Sequence, residues 1–288
     1  QKDPVRRCKF WLPPDLPVIM SNQTTRIIDC HTHAFPEAIA GRTLLKLAQI
    51  SNTSPHSEGT LASTRERQAA FGVDTTLILQ IATKPSQQTT VNNWAAANQK
   101  DGILFFGSVH PEAQDALEEL ERIKQIGLHG VKLHPDYQEF FVDDERHFPL
   151  YRKMEELGLP LAFHAGRDPY SPDVIHASPQ AIRKVALAFP GLRIMAAHLG
   201  GMACCDGVEQ HLAGLENVWF DLSMSHTFAE PEQAKRIVEK HGVDHILFGS
   251  DLPWGTAEQT LAFMDKLGLT DEEREQICHL NAEKLLGI

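Results

Sequence analysis

The sequence predicts an α/β chain folded as a single (β/α)8 TIM-type barrel, and three observations carry that reading. Eight short apolar or β-branched runs recur along the chain, each followed by apolar residues at three- and four-residue steps. After a longer first unit, the runs begin at intervals of roughly 25–35 residues, the period of a βα repeat. Several runs are apolar almost throughout, as strands covered on both faces of a parallel sheet must be. With 288 residues the chain exceeds the roughly 250 that such a barrel needs. A doubly wound sheet is the alternative, but no glycine-rich phosphate loop follows the first run.

In chain order the strands are expected at 26–31, 75–81, 103–109, 130–134, 160–164, 193–198, 218–224 and 246–251. Helical spacing falls at 38–50, 60–71, 90–100, 113–126, 146–157, 178–189, 205–215, 230–240, 258–267 and 271–287. The stretch 113–126 is the clearest, with Ala116, Leu117, Leu120, Ile123 and Ile126 on one side and charged residues on the other. Gly72, Gly102, Gly127, Gly158, Gly191 and Gly268 stand where helices should stop. The longer connections, 51–60, 135–147, 165–178 and 199–204, include those that follow strands four, five and six, where barrel loops surround a site.

Bulk composition excludes several functions. The chain has 27 basic and 38 acidic residues, a net charge of −11, and no basic cluster suited to nucleic acid or an anionic membrane. No apolar run approaches the roughly 20 residues of a membrane span. Cys8, Cys30, Cys204, Cys205 and Cys278 have no disulfide or zinc-site spacing, so reduced thiols and a cytoplasmic location are expected. Residues 1–25 read as an N-terminal extension outside the fold and disordered. Within it, 1–19 precede an ordinary-looking start at Met20 and are taken as a vector or upstream-start segment. Residues 26–288 form the expected catalytic domain.

The site reading begins at Ile27-Ile28-Asp29-Cys30-His31-Thr32-His33. On a strand, Asp29, His31 and His33 would share one face, which sets two imidazoles side by side at the strand's end. Further polar residues end other apolar runs: Lys132 and His134 on strand four, His164 on five, His198 on six and Asp251 on eight. Independent core histidines have no reason to choose the same end of every strand. His31, His33, His164 and Asp251 supply three imidazoles and a carboxylate, the donor set of a catalytic divalent-metal site with room for water. A water bound there loses its proton near neutral pH, and Asp251 can accept that proton. His198 suits proton transfer or polarisation of a carbonyl. Asp29, one step deeper, is expected to orient a histidine.

Together, Asp29-Cys30-His31-Thr32-His33, His164-Ala165-Gly166, Ala197-His198-Leu199-Gly200-Gly201 and Phe248-Gly249-Ser250-Asp251-Leu252-Pro253 resemble the amidohydrolase superfamily. More narrowly they are similar to its amidohydrolase-2 branch, which includes aminocarboxymuconate-semialdehyde decarboxylase. The resemblance spans residues 26–288, including the closing Asn281-Ala282-Glu283-Lys284-Leu285-Leu286-Gly287. It implies a distorted metal-dependent barrel with His31, His33, His164 and Asp251 as ligands and His198 as a catalytic residue. One ion is expected, zinc ahead of manganese. A carboxylated Lys132 bridging two ions, as in other branches, is the alternative.

Lys132, His134, Arg167 and Trp254 are the expected substrate contacts, with Arg167 placed to pair a carboxylate. Tyr137, Tyr170, His110 and His226 are further mouth residues. His56, His129, His147, His176, His211, His241, His245 and His279 read as surface or packing residues. The expected activity is hydrolysis, a metal-bound hydroxide attacking a carbonyl or lactone carbon of a small carboxylate-bearing substrate. Non-oxidative decarboxylation of an aromatic or unsaturated acid is the nearest alternative, and a non-catalytic ligand-binding barrel is the rival of a different class. A homodimer is the assembly the resemblance suggests.

Overall fold

The computed structural model describes residues 26–288; the expected N-terminal extension lies outside the described residues. All eight strands are present: β1 Ile28–Thr32, β2 Thr75–Leu79, β3 Ile103–Phe106, β4 Val131–Leu133, β5 Leu161–Phe163, β6 Ile194–Ala196, β7 Val218–Asp221 and β8 Ile246–Leu247. They pair in parallel as two arcs, β1-β2-β3 and β4-β5-β6-β7-β8. Single bridges join the arcs, Gly107 to Val131 on one side and Thr32 to Leu252 on the other. Lys132 N donates to Gly107 O at 2.8 Å, and Cys30 N to Phe248 O at 2.9 Å, across those two seams. Further backbone bonds cross both seams, His129 N to Phe105 O at one and Asp251 N to His31 O at the other, so the barrel is closed.

Helices cover the outside: α1 Glu37–Ser51, α2 Leu61–Ala69, α3 Gln88–Asn98, α4 Ala116–Gln125, α5 Pro135–Gln138, α6 Phe148–Leu157, α7 Pro179–Ala188, α8 Cys205–Gly207, α9 Pro231–His241, α10 Ala257–Met264, α11 Asp271–Glu275 and α12 Asn281–Leu286. The helix expected over 205–215 is a single turn, α8, followed by a wider turn at Val208–Leu212. The short α5 has no helical period to announce it, only Pro135 at its first position. Of the six expected helix-stop glycines, five adopt positive φ and Gly191 does not.

Strand alternation divides the core in two. Val131, Leu133, Leu161, Phe163, Ile194, Val218 and Phe220 face the helices. Leu77, Leu79, Phe106, Ala162, Met195, Trp219 and Leu247 fill the barrel, and Ala282, Leu285 and Leu286 of α12 close the end opposite the mouth. Two inward residues toward the mouth are polar instead, Lys132 of β4 and Asp221 at the end of β7, both fully buried.

The observed strands stop earlier than the sequence suggests. His134, His164, His198 and Asp251 all lie past the last ladder residue of their strands. Two of them, His198 (φ 59°) and Asp251 (φ 63°), are in the left-handed region, which no strand contains. The apolar run marks the ladder; the site residues begin where the backbone leaves it.

Candidate metal centre

β1 carries the first departure from simple alternation. Its register with β2 runs Ile28 to Thr75 and Asp29 to Thr76, then Thr32 to Ile78, so β1 has one extra residue, a bulge. The bulge separates Asp29 from the face of His31 and His33. Asp29 instead accepts from Gln68 Nε2 of α2 at 2.6 Å and from the amides of His31 (3.1 Å) and Ser250 (3.0 Å). It fixes the backbone of β1 against the loop after β8 rather than orienting an imidazole. Burial raises its carboxyl to about 6 against those hydrogen bonds.

The imidazole of His31 is oriented by Asp221, which the sequence reading passed over. His31 Nδ1 donates to Asp221 Oδ2 at 2.9 Å, and His33 Nδ1 donates to Leu79 O at 3.0 Å. With both Nδ1 protons committed, each Nε2 presents a lone pair. Those lone pairs face one oxygen, Asp251 Oδ1, at 3.5 Å and 3.2 Å. Burial holds His31 neutral, its pKa well below the usual value. Three acceptors thus converge, ligand atoms within 4.8 Å of one another, with no proton to share. A divalent cation satisfies that arrangement, and the opposite ring nitrogens already have the partners that metal-bound histidines require.

His164, expected with this group, is drawn toward a second one. His164 Nε2 and His134 Nε2 face Asp168 Oδ2 at 3.5 Å and 3.7 Å, and these three residues also lie within 4.8 Å of one another. Tyr137, His134 and His164 stack, with centroids 3.7 Å and 4.4 Å apart. Burial lowers His134 well below the usual imidazole range and His164 to about 4, and raises Asp168 to about 6. Asp136 holds the segment after β4 to the loop after β5, accepting from Ser171 Oγ and, at 3.0 Å, from His176 Nδ1.

His198 lies between the two groups. Ser223 Oγ donates to Asp221, so it accepts from His198 Nδ1 at 2.9 Å. That fixes the tautomer and turns His198 Nε2 to His164 Nδ1, 3.1 Å away. Burial keeps His198 neutral. Lys132 is fully buried and its Nζ has no hydrogen-bond partner among the described residues. Burial lowers it to about 8, against the pull of Asp221, Asp251 and Asp168. Three carboxylates against one ammonium leave this mouth short of positive charge.

The cavity over the centre measures about 1010 Å³ and is lined by His31, His33, Lys132, His134, His164, His198, Asp251 and Trp254, as the sequence suggests. Tyr137, Tyr170 and His226 line it too, and so does His56, which read as a surface or packing residue. Arg167 does not: its side chain is exposed and its guanidinium reaches Pro172 O at 3.5 Å. Asp168, next in sequence, faces inward in its place. His110 is buried and its Nδ1 accepts locally from Glu112 N at 3.2 Å. Asp221 and Ser223 were missed because both fall inside the run expected as strand seven, and Asp221 is a ladder residue where most of the other site residues lie past theirs. Asp168 had only its spacing from His164 to announce it.

A barrel with this mouth of imidazoles and carboxylates defines a metal-dependent enzyme. The chain belongs to the amidohydrolase family, whose amidohydrolase-2 model matches residues 28–288. No curated protein matches it significantly. Among solved structures it is similar to an uncharacterized TIM-barrel protein of Bordetella bronchiseptica, at 22% identity and TM-score 0.69 over 91% of this chain and 98% of that one. It is also similar to a manganese-bound dihydroxybenzoic acid decarboxylase from Polaromonas, at 15% identity and TM-score 0.67 over 91% and 97% of the two chains. A Pseudomonas putida protein provisionally assigned as a 2-pyrone-4,6-dicarboxylic acid hydrolase matches at 18% identity and TM-score 0.64, over 91% and 98%. At these identities the likeness is one of fold.

No helix among the described residues is long and apolar enough to cross a membrane.

Proposed function

We propose that the chain is a metal-dependent hydrolase acting on the carbonyl or lactone carbon of a carboxylate-bearing small molecule. The observation that carries this reading is the convergence of His31 Nε2, His33 Nε2 and Asp251 Oδ1, all acceptors, on one point. The ion, zinc or manganese, held by these three and by His164 once that ring turns from Asp168, would supply Lewis acidity and a water acidic enough to react near neutral pH.

The chain's own residues supply the rest. Asp251 stands where it can take the proton of the attacking water. Asp221 and Ser223 hold His31 and His198 in their tautomers, so neither ring must reorient during the reaction. His198 presents an unprotonated Nε2 to the centre, where it can relay the proton taken up by Asp251 to the leaving group. Lys132 offers a buried ammonium with no hydrogen-bond partner among the described residues, suited to a substrate carboxylate, with His134 and Asp168 beside it. Trp254 and Tyr137 wall the bound molecule.

Metal analysis together with hydrolysis of aryl esters and lactones tests this. About one ion per chain, lost with activity in a His31→Ala, His33→Ala double variant, is the expected result; an active metal-free protein overturns it. Nearly two ions per chain would assign Lys132 to a carboxylated, bridging role. The buried ammonium of Lys132 also fits the carboxylate of an acid with no hydrolysable bond, which supports decarboxylation as a second reading. Release of CO2 from such acids, with esters and lactones untouched, would replace hydrolysis by that reaction.

A further inference from the structure

The cavity is larger than a single small acid requires. Its volume of about 1010 Å³ is at the upper end of the roughly 300–1,000 Å³ that holds drug-sized ligands. Two helix faces create the extra space. α1 lines it with Ile39, Thr43, Leu47 and Ile50, flanked by Arg42 and Lys46, and α3 with Val91 and Trp94 beside Thr90. These positions recur at three- and four-residue steps, so on each helix they share one face, turned to the cavity.

Apart from Trp94, which packs edge-on against the core residue Phe105, the stripe residues are not part of the core. Only Ala40 and Leu44 of α1 are buried, whereas Ile39, Leu47, Ile50, Val91 and Trp94 are all half-buried. An amphipathic helix normally turns its apolar stripe onto the body of the protein; α1 has a second such stripe directed at open space. The wall is held there at both ends. Phe35 N donates to Gly59 O at 2.8 Å, and His56 N in the loop after α1 donates to Pro253 O at 2.7 Å, beside Asp251. α1 begins four residues after His33, so the channel starts at the metal centre, and the stripe from Ile39 to Ile50 runs about 16 Å.

We propose that this channel binds an unbranched alkyl or acyl tail of the substrate, whose reacting head lies at the histidines. The enzyme is then selective for medium-chain amphiphilic substrates rather than for single-ring acids. Leu47 of α1 and Val91 of α3, both lining the channel, are the specificity-determining residues. This rests on the reading that the chemistry occurs at the mouth, so the test measures binding and needs no turnover.

The probe is the series of linear saturated carboxylates from butanoate to dodecanoate, titrated calorimetrically into the metal-loaded protein. Affinity is expected to rise about two- to fourfold with each methylene. Leu47→Asp and Val91→Asp should flatten that slope. Leu45→Asp, on the 63% exposed outer side of α1, should leave it unchanged and controls for charge on the helix. A wild-type affinity independent of chain length overturns the proposal, as does a slope that survives both channel substitutions. A chain-length slope without any hydrolysis supports the channel and removes the proposed reaction; hydrolysis with a flat slope does the reverse.

Discussion

Single residues at this mouth are held in conformations that folding alone does not favour. His198 and Asp251 both take left-handed backbone angles, which for a residue with a Cβ costs roughly 1–2 kcal/mol. Lys132 is the larger case. Its shift from 10.5 to about 8 corresponds to an order of 3 kcal/mol against folding with the lysine charged. Lys132→Met is therefore expected to raise the Tm of the metal-free protein by several degrees at pH 7 while lowering activity at least a hundredfold. The folded pKa lies below the unfolded one, so the cost is full below pH 8 and fades as pH rises toward 10.5. The stability difference between variant and wild type should close across that window; a difference independent of pH would show that Lys132 is not buried as an ammonium. Asp221→Asn retains the shape but can no longer accept strongly from His31 Nδ1. Metal affinity is expected to fall about 10- to 100-fold, read by competition with a chelating dye.

At the scale of elements, the site is assembled by connections. The β1 bulge rotates His31 and His33 to the mouth while Asp29 stays with α2, and neither could happen on a regular strand. The loop after β5 carries Asp168 inward because it is pinned twice, by the Asp136–His176 contact and by the pairing of Gly166 with Ala177 and Met202. Gly166 has φ +85°, and a Cβ there would sit 2.3 Å from Met202 N. Backbone atoms cannot yield as a flexible side chain can. Gly166→Ala should destabilise the protein by about 2–3 kcal/mol, roughly 5–10 °C in Tm, and weaken metal binding as Asp168 and His164 shift. Unchanged Tm and metal affinity would mean that the loop is not fixed at this point.

For the whole molecule, the centre ties the two arcs of the barrel together. His31 and His33 come from the first arc, and Asp251 follows the last strand of the second, across the seam where Thr32 pairs with Leu252. An ion bound there cross-links the seam. Saturation with zinc or manganese at about 100 times its Kd should add about 2.7 kcal/mol of stability. Differential scanning calorimetry should show the corresponding rise in Tm for wild type and none for the His31→Ala, His33→Ala variant. An equal rise in both would place the ion elsewhere.

The sequence determined the eight-strand order, the parallel pairing and the end of the barrel that carries the site, because apolar runs and βα spacing depend only on which residues must be buried. It also located His31, His33, Lys132, His134, His164, His198, Asp251 and Trp254 at one mouth, since a polar residue after an apolar run is legible from the chain itself. Tertiary structure decided the pairings. Asp221 rather than Asp29 orients His31, because one extra residue in β1 reverses which side chains face inward. Asp168 rather than Arg167 enters the cavity, because bridges from Gly166 set the phase of that loop. The open channel beside α1 was equally hidden, because the spacing of Ile39, Leu47 and Ile50 is the same whether a helix faces a core or a ligand. Periodicity records that a face is apolar; only the packed chain shows what lies opposite it.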